Sequence, residues 1–235
     1  MISDGELVLP AEMVFAGAPD AERPGDPVAM PFGCLLLRGG GLTALVDAGL
    51  GAYEHPLGGS GGGLIAALAA EGVAPGDVGL VLITHAHIDH IGGLCAGGRP
   101  QFGAARHVMS RVDREWRSDR LAAEQLEPLD LELVDAPFEP APGLRLIPAP
   151  GHTPGHMALE IGGEALFLAD AVVDPRHVEH PEWTMAFDDD PAVNVATRRA
   201  LLGEAATTGR VIAASHLRTA ATVERIAGRF RLRPI

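Results

Sequence analysis

The segment VGLVLITHAHIDH, at residues 78–90, places a group of metal-binding side chains directly after an apolar run. The apolar part, Val78–Thr84, is short and continuous, which predicts a buried β-strand. The part that follows carries nitrogen and oxygen donors on His85, His87, Asp89 and His90. Alternate residues of an extended segment point the same way, so His85 and His87 can converge on one ion. Asp89 and His90, farther along the chain, can face a second ion.

Later predicted strands are also followed by candidate ligands: His152 after Leu144–Ala149, Asp170 after Ala165–Ala169, and His216 after Arg210–Ala214. Loops that follow strands can meet at one rim of a sheet, so we expect these residues to join the 85–90 segment. Imidazole nitrogens and carboxylate oxygens are ligands that zinc and similar first-row metals accept. The sequence therefore predicts a site for two divalent metal ions, with zinc as the expected metal.

These residues resemble the signature of the metallo-β-lactamase superfamily. The motif HxHxDH stands at residues 85–90, GHTPGH at 151–156, and the turn VDAGLG at 46–51, and Asp170 and His216 follow in order. The resemblance implies a fold of the α+β class, a four-layer αβ/βα sandwich with two central mixed β-sheets and helices outside. No linker-like stretch separates domains along the chain, so we expect a single domain over residues 1–235.

The resemblance further implies a role for each ligand. One metal would be held by His85, His87 and His152, the other by Asp89, His90 and His216, with Asp170 bridging both. Asp47 and Thr84 would orient these ligands from behind. Asp89 and Asp170 are the residues expected to act in catalysis, and Asp89 would also pass a proton to the leaving group.

Within the superfamily, the resemblance is closest to the branch of lactonases and methyl-parathion hydrolases. An Asp at position 170 rather than Cys argues against β-lactam hydrolysis as the main activity. His87, where the flavodiiron proteins have Glu, argues against iron redox chemistry. One position departs from the acyl-homoserine lactonases, which usually carry Tyr three residues after the bridging Asp, because this chain has Val173 there.

The branch implies a hydrolase that attacks a small lactone, ester or similar acyl substrate. The attacking group would be a hydroxide shared by the two metals, because metal binding lowers the pKa of water toward ~7. The alternative is an acyl-thioesterase, either like glyoxalase II or like the enzymes that release or cyclise polyketide acyl chains. A third reading, from a different class, is a metal-bound partner protein without turnover.

Substrate selectivity would come from the loops Gly49–Gly63 and Ala171–Asp188. They carry the residues predicted to line the substrate pocket: Tyr53, Val173, His177, Trp183 and Phe187. Because the loops are largely apolar and carry few positive charges, the expected substrate is an uncharged ester or lactone.

The composition excludes other classes of partner. The net charge is −13 and all 18 basic residues are Arg, so a general nucleic-acid binder or a polybasic membrane anchor is not expected. The two cysteines fit a reducing compartment, and no apolar run approaches the ~18 residues of a membrane helix. We expect a cytoplasmic protein that acts on a small molecule, and a homodimer is one assembly that the sequence allows.

Several elements are predicted from local pattern. Val28–Arg38 and Leu42–Asp47 form a hairpin, and Val223–Pro234 forms a ribbon that turns at Gly228. Arg111–Leu126 is one charged surface helix. A helix runs from Pro191 to about Ala206, with Asp190 as its N-cap, and the preceding acidic residues Asp188 and Asp189 are assigned to helix capping and dipole compensation.

Overall fold

The computed structural model describes residues 1–55, 57–117 and 120–235. Its internal contacts divide the chain into two compact units. The first unit comprises Met1–Leu7 and Pro31–Asp135, and the second comprises Val8–Met30 and Ala136–Ile235. The single domain over residues 1–235 stays a prediction. No helix in the described part of the chain has both the length and the apolar character that crossing a membrane requires.

The strands that lie mainly in the first unit are β1 (Ile2–Leu9), β2 (Val28–Gly39), β3 (Leu42–Val46), β4 (Leu80–Ile83), β5 (Cys95–Ala96), β6 (Arg99–Pro100), β7 (Arg106–Ser110) and β8 (Leu131–Val134). Over the described residues, six of them form a sheet in the order β1-β2-β3-β4-β7-β8, and β5 and β6 form a separate ribbon. The second unit contains β9 (Phe138–Ala141), β10 (Leu144–Pro148), β11 (Met157–Ile161), β12 (Ala165–Phe167), β13 (Val211–Ala213), β14 (Ala221–Ile226) and β15 (Arg229–Pro234).

The sheet of the first unit confirms the predicted hairpin and the predicted buried strand. β2 and β3 pair antiparallel, joined by Gly40 and Gly41, whose φ angles of 57° and 80° suit glycine. β4 runs parallel to both of its neighbours, β3 and β7, and all four of its residues are buried. This central strand therefore delivers the 85–90 segment at its carboxyl end.

The helices are α1 (Ala11–Val14), α2 (Leu64–Ala70), α3 (Ile88–Ile91), α4 (Arg111–Trp116), α5 (Arg120–Leu126), α6 (Arg176–Glu179) and α7 (Pro191–Thr208). The prediction of one helix over Arg111–Leu126 is wrong at its centre. α4 ends at Trp116 because Arg117 has an extended backbone, with φ −99° and ψ 110°. Residues 118 and 119 lie outside the described part of the chain.

The second unit has its own mixed sheet, in the order β15-β14-β13-β12-β11-β10-β9 over the described residues. β12 and β13 run parallel, and the other described pairs are antiparallel. α7 begins as predicted, because the Asp190 side chain accepts the N–H of Val193, and it ends at Thr208, before the C-cap Gly209 with φ 72°. Its buried residues Leu201, Leu202 and Ala205 belong to the core cluster of this unit. Each unit thus combines a mixed sheet with helices, which confirms the predicted α+β class.

Candidate metal centre

The first cluster comprises His85, His87, Asp89 and His90, at the carboxyl end of β4 and the start of α3. His85 Nε2 lies 3.1 Å from His87 Nδ1, so the two rings turn their nitrogens toward each other. Candidate donor atoms of His90 lie within 4.8 Å of those of His85 and of Asp89. His85 and His90 are buried, while His87 and Asp89 keep partial exposure. The geometry brings together the candidate ligands that the HxHxDH spacing predicted for this segment.

Asp47 and Thr84 support this cluster from behind. The Asp47 carboxylate accepts the Thr84 N–H and the Thr84 hydroxyl, each at 2.8 Å, and His90 Nδ1 lies 2.8 Å from Asp47 Oδ2. His85 Nδ1 lies 3.1 Å from Thr84 Oγ1. A proton on each of these Nδ1 atoms directs the Nε2 lone pair of His85 and His90 away from the support and toward a metal.

Two supporting residues of the first unit were missed by the sequence reasoning. Asp113, buried on α4, accepts the N–H of Ala86 at 2.6 Å and so fixes the backbone between His85 and His87. Trp116, one turn later, packs edge-on against His87 with 5.7 Å between ring centroids. Both lie in a stretch that looks like an ordinary charged surface helix, so no local signal marks them.

The second cluster comprises His152, Asp170 and His216, all in the second unit. His152 Nε2 lies 3.4 Å and His216 Nε2 lies 3.1 Å from the same carboxylate oxygen, Asp170 Oδ2. All three residues are buried, with at most 5% of their surface exposed. The residues that follow β10, β12 and β13 thus meet, as the positions at strand ends predicted.

The second cluster has its own supports. His152 Nδ1 lies 3.1 Å from Asp188 Oδ1, whose side chain is fully buried. The assignment of Asp188 to helix capping is therefore corrected, whereas Asp190 is the cap. His156 lies between two backbone groups, since its Nδ1 donates to Ala149 O at 2.9 Å and its Nε2 accepts the Asp170 N–H at 3.1 Å. Ala169, next to Asp170, has a φ of 43°, which a non-glycine residue adopts at some cost.

The donor chemistry of both clusters fits divalent metal ions such as zinc. The ligand atoms are imidazole nitrogens and carboxylate oxygens. His85, His90 and His152 each have the second ring nitrogen at hydrogen-bond distance from a hydroxyl or carboxylate. Metal-bound histidines in proteins have this arrangement, because the outer hydrogen bond fixes the tautomer and the ring orientation.

Of the residues predicted to line a substrate pocket, Tyr53 and Phe187 keep partial exposure. The Tyr53 hydroxyl donates to Glu124 at 2.9 Å and accepts from Gln125 at 3.1 Å. Tyr53 lines a cavity of about 870 Å³ in the first unit, and no residue of the first cluster is among its described lining residues. The predicted contact of Tyr53 and Phe187 with substrate stays a prediction.

The other three predicted pocket residues are buried in the second unit, and their contact with substrate stays a prediction. Val173 and His177 have at most 1% of their surface exposed, and Trp183 has 4%. Phe15 covers His177 and Trp183, with ring centroids 5.2 and 5.6 Å away. Burial lowers the pKa of His177 well below its usual value, with a smaller contribution from Arg198. The sequence predicted a loop for these residues, but it could not show whether each side chain packs into the core or faces a substrate cleft.

Comparison with known protein families and sequences gives consistent results. The family model described as the metallo-beta-lactamase superfamily matches residues 34–216. An N-acyl homoserine lactonase from Bacillus cereus is 28% identical over 142 residues, which cover 57% of this chain and 55% of the relative. The human metallo-beta-lactamase domain-containing protein 1 is 33% identical over 172 residues, covering 70% of this chain and 59% of the relative. The chain thus matches little more than half the length of these curated relatives.

Solved structures share the fold. The dizinc quorum-quenching lactonase AidC, solved with the product N-hexanoyl-L-homoserine, superposes with a TM-score of 0.88 at 23% identity, covering 99% of this chain and 92% of that one. The hydrolase AbOPH superposes with a TM-score of 0.85 at 22% identity, covering 100% and 92% of the two chains. At these identities the likeness establishes the fold.

Proposed function

The chain belongs to the metallo-beta-lactamase superfamily, and we propose that it is a metal-dependent hydrolase with two divalent ions, most simply zinc, that acts on a small uncharged lactone or ester. The observation that carries the proposal is the pair of ligand clusters. Each cluster is largely buried. In His85, His90 and His152, the Nδ1 atom lies at hydrogen-bond distance from a side-chain oxygen, which leaves Nε2 available for a metal. Histidines that served only packing would not need such matched orientation.

We propose, from the family pattern, that seven residues of the chain are the ligands of the two divalent ions. The assignment gives His85, His87 and His152 to one ion, Asp89, His90 and His216 to the other, and Asp170 to both. Family membership and the order of these residues along the chain support it, since all seven ligand positions of the family pattern are present. The prediction of two metals rests on this complete set.

The chain's own residues supply orientation and proton transfer. Two divalent ions in such a site supply Lewis acidity and a water whose pKa is near ~7. Asp47 and Thr84 keep the Nε2 atoms of the first cluster aimed at the ligand side, and Asp188 does the same for His152. In this proposal Asp89, whose carboxylate keeps partial exposure, would pass a proton to a leaving alkoxide.

The substrate class follows from the loops and from the relatives. Relatives named as N-acyl homoserine lactonases favour a lactone. Val173 is buried and has no hydroxyl to polarise a carbonyl. The proposed substrate class is therefore lactones and esters in general, and homoserine lactones are only one example of it. The net charge of −13 disfavours a nucleic-acid substrate. A cytoplasmic location and a homodimer remain parts of this proposal.

The test is a zinc-loaded enzyme assayed on a γ-lactone, an N-acyl homoserine lactone, a nitrophenyl ester and an acyl-thioester. We expect turnover of a lactone or ester and two zinc ions per chain. Asp170→Asn should lower kcat/KM by at least about a hundredfold and reduce the zinc content, while the exposed Asp189→Asn serves as the control and keeps both. Preference for the thioester would favour the alternative function, and full activity of Asp170→Asn would refute the bridging role.

A further inference from the structure

Two fully buried polar side chains lie one turn apart on α7. Asn194 and Arg198 each have 0% exposed surface, and residues four apart on a helix share a face. Thr197, next to Arg198, donates its hydroxyl to Pro150 O at 2.7 Å. This part of α7 therefore contacts the loop that carries His152.

Asn194 reaches His152 through Asp188. Its Nδ2 donates to Asp188 Oδ1 at 2.7 Å, and the same oxygen lies 3.1 Å from His152 Nδ1. The two backbones are also in close contact, because a Cβ atom on Gly151 would clash with the Asn194 backbone nitrogen. Any shift of Asn194 therefore changes both the oxygen that orients His152 and the backbone that precedes it.

Arg198 holds the segment that follows Asp170. Its Nε donates to the carbonyl of Ala171, and its Nη1 donates to the carbonyls of Pro181 and Trp183. One guanidinium thus joins the first residue after Asp170 to residues ten and twelve positions farther along. The planar fork of Arg suits several acceptors at once, which a Lys ammonium on a flexible stem does not reproduce.

Burying the Arg198 guanidinium costs more free energy than burying an apolar side chain at the same position would. Burial lowers the pKa of Arg198 to about 10, so the group stays charged at neutral pH. No carboxylate of the described residues forms an ion pair with it, and neither its Nη2 nor Asn194 Oδ1 has a hydrogen-bond partner among them. A buried charge satisfied mainly by carbonyls is expensive, and an apolar side chain would pack at lower cost.

We propose that Asn194 and Arg198 are positioning residues of the metal centre. Asn194 sets the orientation of His152 through Asp188, and Arg198 sets the backbone that carries Asp170 through the Ala171 carbonyl. The inference rests on the proposed function in one respect, since it takes His152 and Asp170 as metal ligands. It adds that the ligand geometry of the second cluster depends on one face of α7.

The experiment compares Asn194→Leu and Arg198→Met with Arg199→Met. Arg199 is the matched control, because it is the neighbouring Arg on the same helix but is exposed and lies 3.7 Å from Glu182. For each protein we would measure zinc affinity by competition with a chelator, the visible absorption spectrum of the Co²⁺-loaded form, and the thermal midpoint of the metal-free form.

We expect both test variants to bind the more weakly held zinc about 10–100-fold less tightly, and to show an altered Co²⁺ spectrum. Arg199→Met should stay within about twofold of the parent, since surface changes alter little. If Arg198→Met does not fold, Arg198→Lys keeps the charge without the fork and should give the same loss of affinity, and Asn194→Ser replaces Asn194→Leu likewise.

A lower thermal midpoint with unchanged zinc affinity and spectrum would show a merely structural role and overturn the inference. In that case the parent protein would still bind two zinc ions, so the proposed function would stand. If the parent protein itself binds no zinc, the proposed function fails and the inference fails with it.

Discussion

Asp47 supports the first cluster from a left-handed backbone conformation, with φ 61°. It is buried, and its two oxygens serve the backbone and hydroxyl of Thr84 and the ring of His90. Few residues other than Gly adopt this conformation readily, but Asn and Asp are enriched there. The turn therefore needs a residue that tolerates the conformation and also supplies an acceptor for His90.

Replacing Asp47 by Asn separates these two requirements. The backbone should keep its conformation, but the negative charge facing His90 Nδ1 is lost, so we expect zinc affinity to fall about 10-fold or more. Chelator competition measures this, with the exposed Asp130→Asn as the control. Unchanged affinity would mean that the charge of Asp47 does not strengthen zinc binding by His90.

His177 makes a different prediction, about stability and pH. Its pKa is held well below the usual value by burial first and by Arg198 next, while Arg176 acts in the same direction. In the pH range between the folded and unfolded pKa, the unfolded chain binds the proton and the folded chain does not. The contribution of the neutral His177 to the free energy of unfolding should therefore be complete above about pH 6.5. It should decline as the pH falls below that value.

The variant His177→Leu should flatten this decline. Removing one such group reduces the slope of unfolding free energy with pH by up to about 1.4 kcal/mol per pH unit. Urea unfolding of the metal-free protein at pH 7 and pH 5 measures the slope, and the partly exposed His55→Leu is the comparison. Equal slopes in the parent and in His177→Leu would contradict the buried neutral histidine.

At the scale of elements, α4 shows how a charged surface pattern can conceal a supporting role. Its residues Asp113 and Trp116, three apart, share one face and contact the backbone of Ala86 and the ring of His87. Periodicity identifies α4 as a helix but does not reveal that this face turns toward the ligands, because the contact depends on where β7 places the helix start.

Trp116, half-buried beside a candidate ligand, is expected to contact the substrate. Trp116→Ala should raise KM for an ester with a long apolar acyl chain by about tenfold, through loss of apolar contact area, with a smaller change for a short acyl chain. Trp116→Phe, which keeps an aromatic ring, is the matched control. Steady-state kinetics with zinc content held equal would test this, and equal KM values for all three proteins would exclude the contact.

At the scale of the whole molecule, zinc binding should raise the stability of the fold. A ligand that binds only the folded chain adds about 2.7 kcal/mol at 100 times its dissociation constant. For a chain of this length that corresponds to roughly 5–10 °C in the thermal midpoint. Calorimetry with and without a chelator measures the shift, with Mg²⁺ in place of zinc as the control. A midpoint that does not respond to zinc would contradict a metal site formed by the folded chain.

The sequence by itself predicted several elements correctly and identified the candidate ligands. Strand β4, the β2–β3 hairpin, the capped start of α7 and the seven ligand candidates are all readable, because short-range pattern and donor chemistry are properties of neighbouring residues. The resemblance to a family then supplied the α+β class, which the two mixed sheets confirm.

Only the tertiary structure decided which residues support the candidate ligands by hydrogen bonds. Asp113 meets Ala86, Asp188 meets His152, and Arg198 meets Ala171, across separations of 27, 36 and 27 residues. It also buried His177 and Trp183, which a loop position had left open to substrate. The physical reason is that a supporting hydrogen bond depends on which distant segments the sheets bring together, and no local pattern along the chain encodes that proximity.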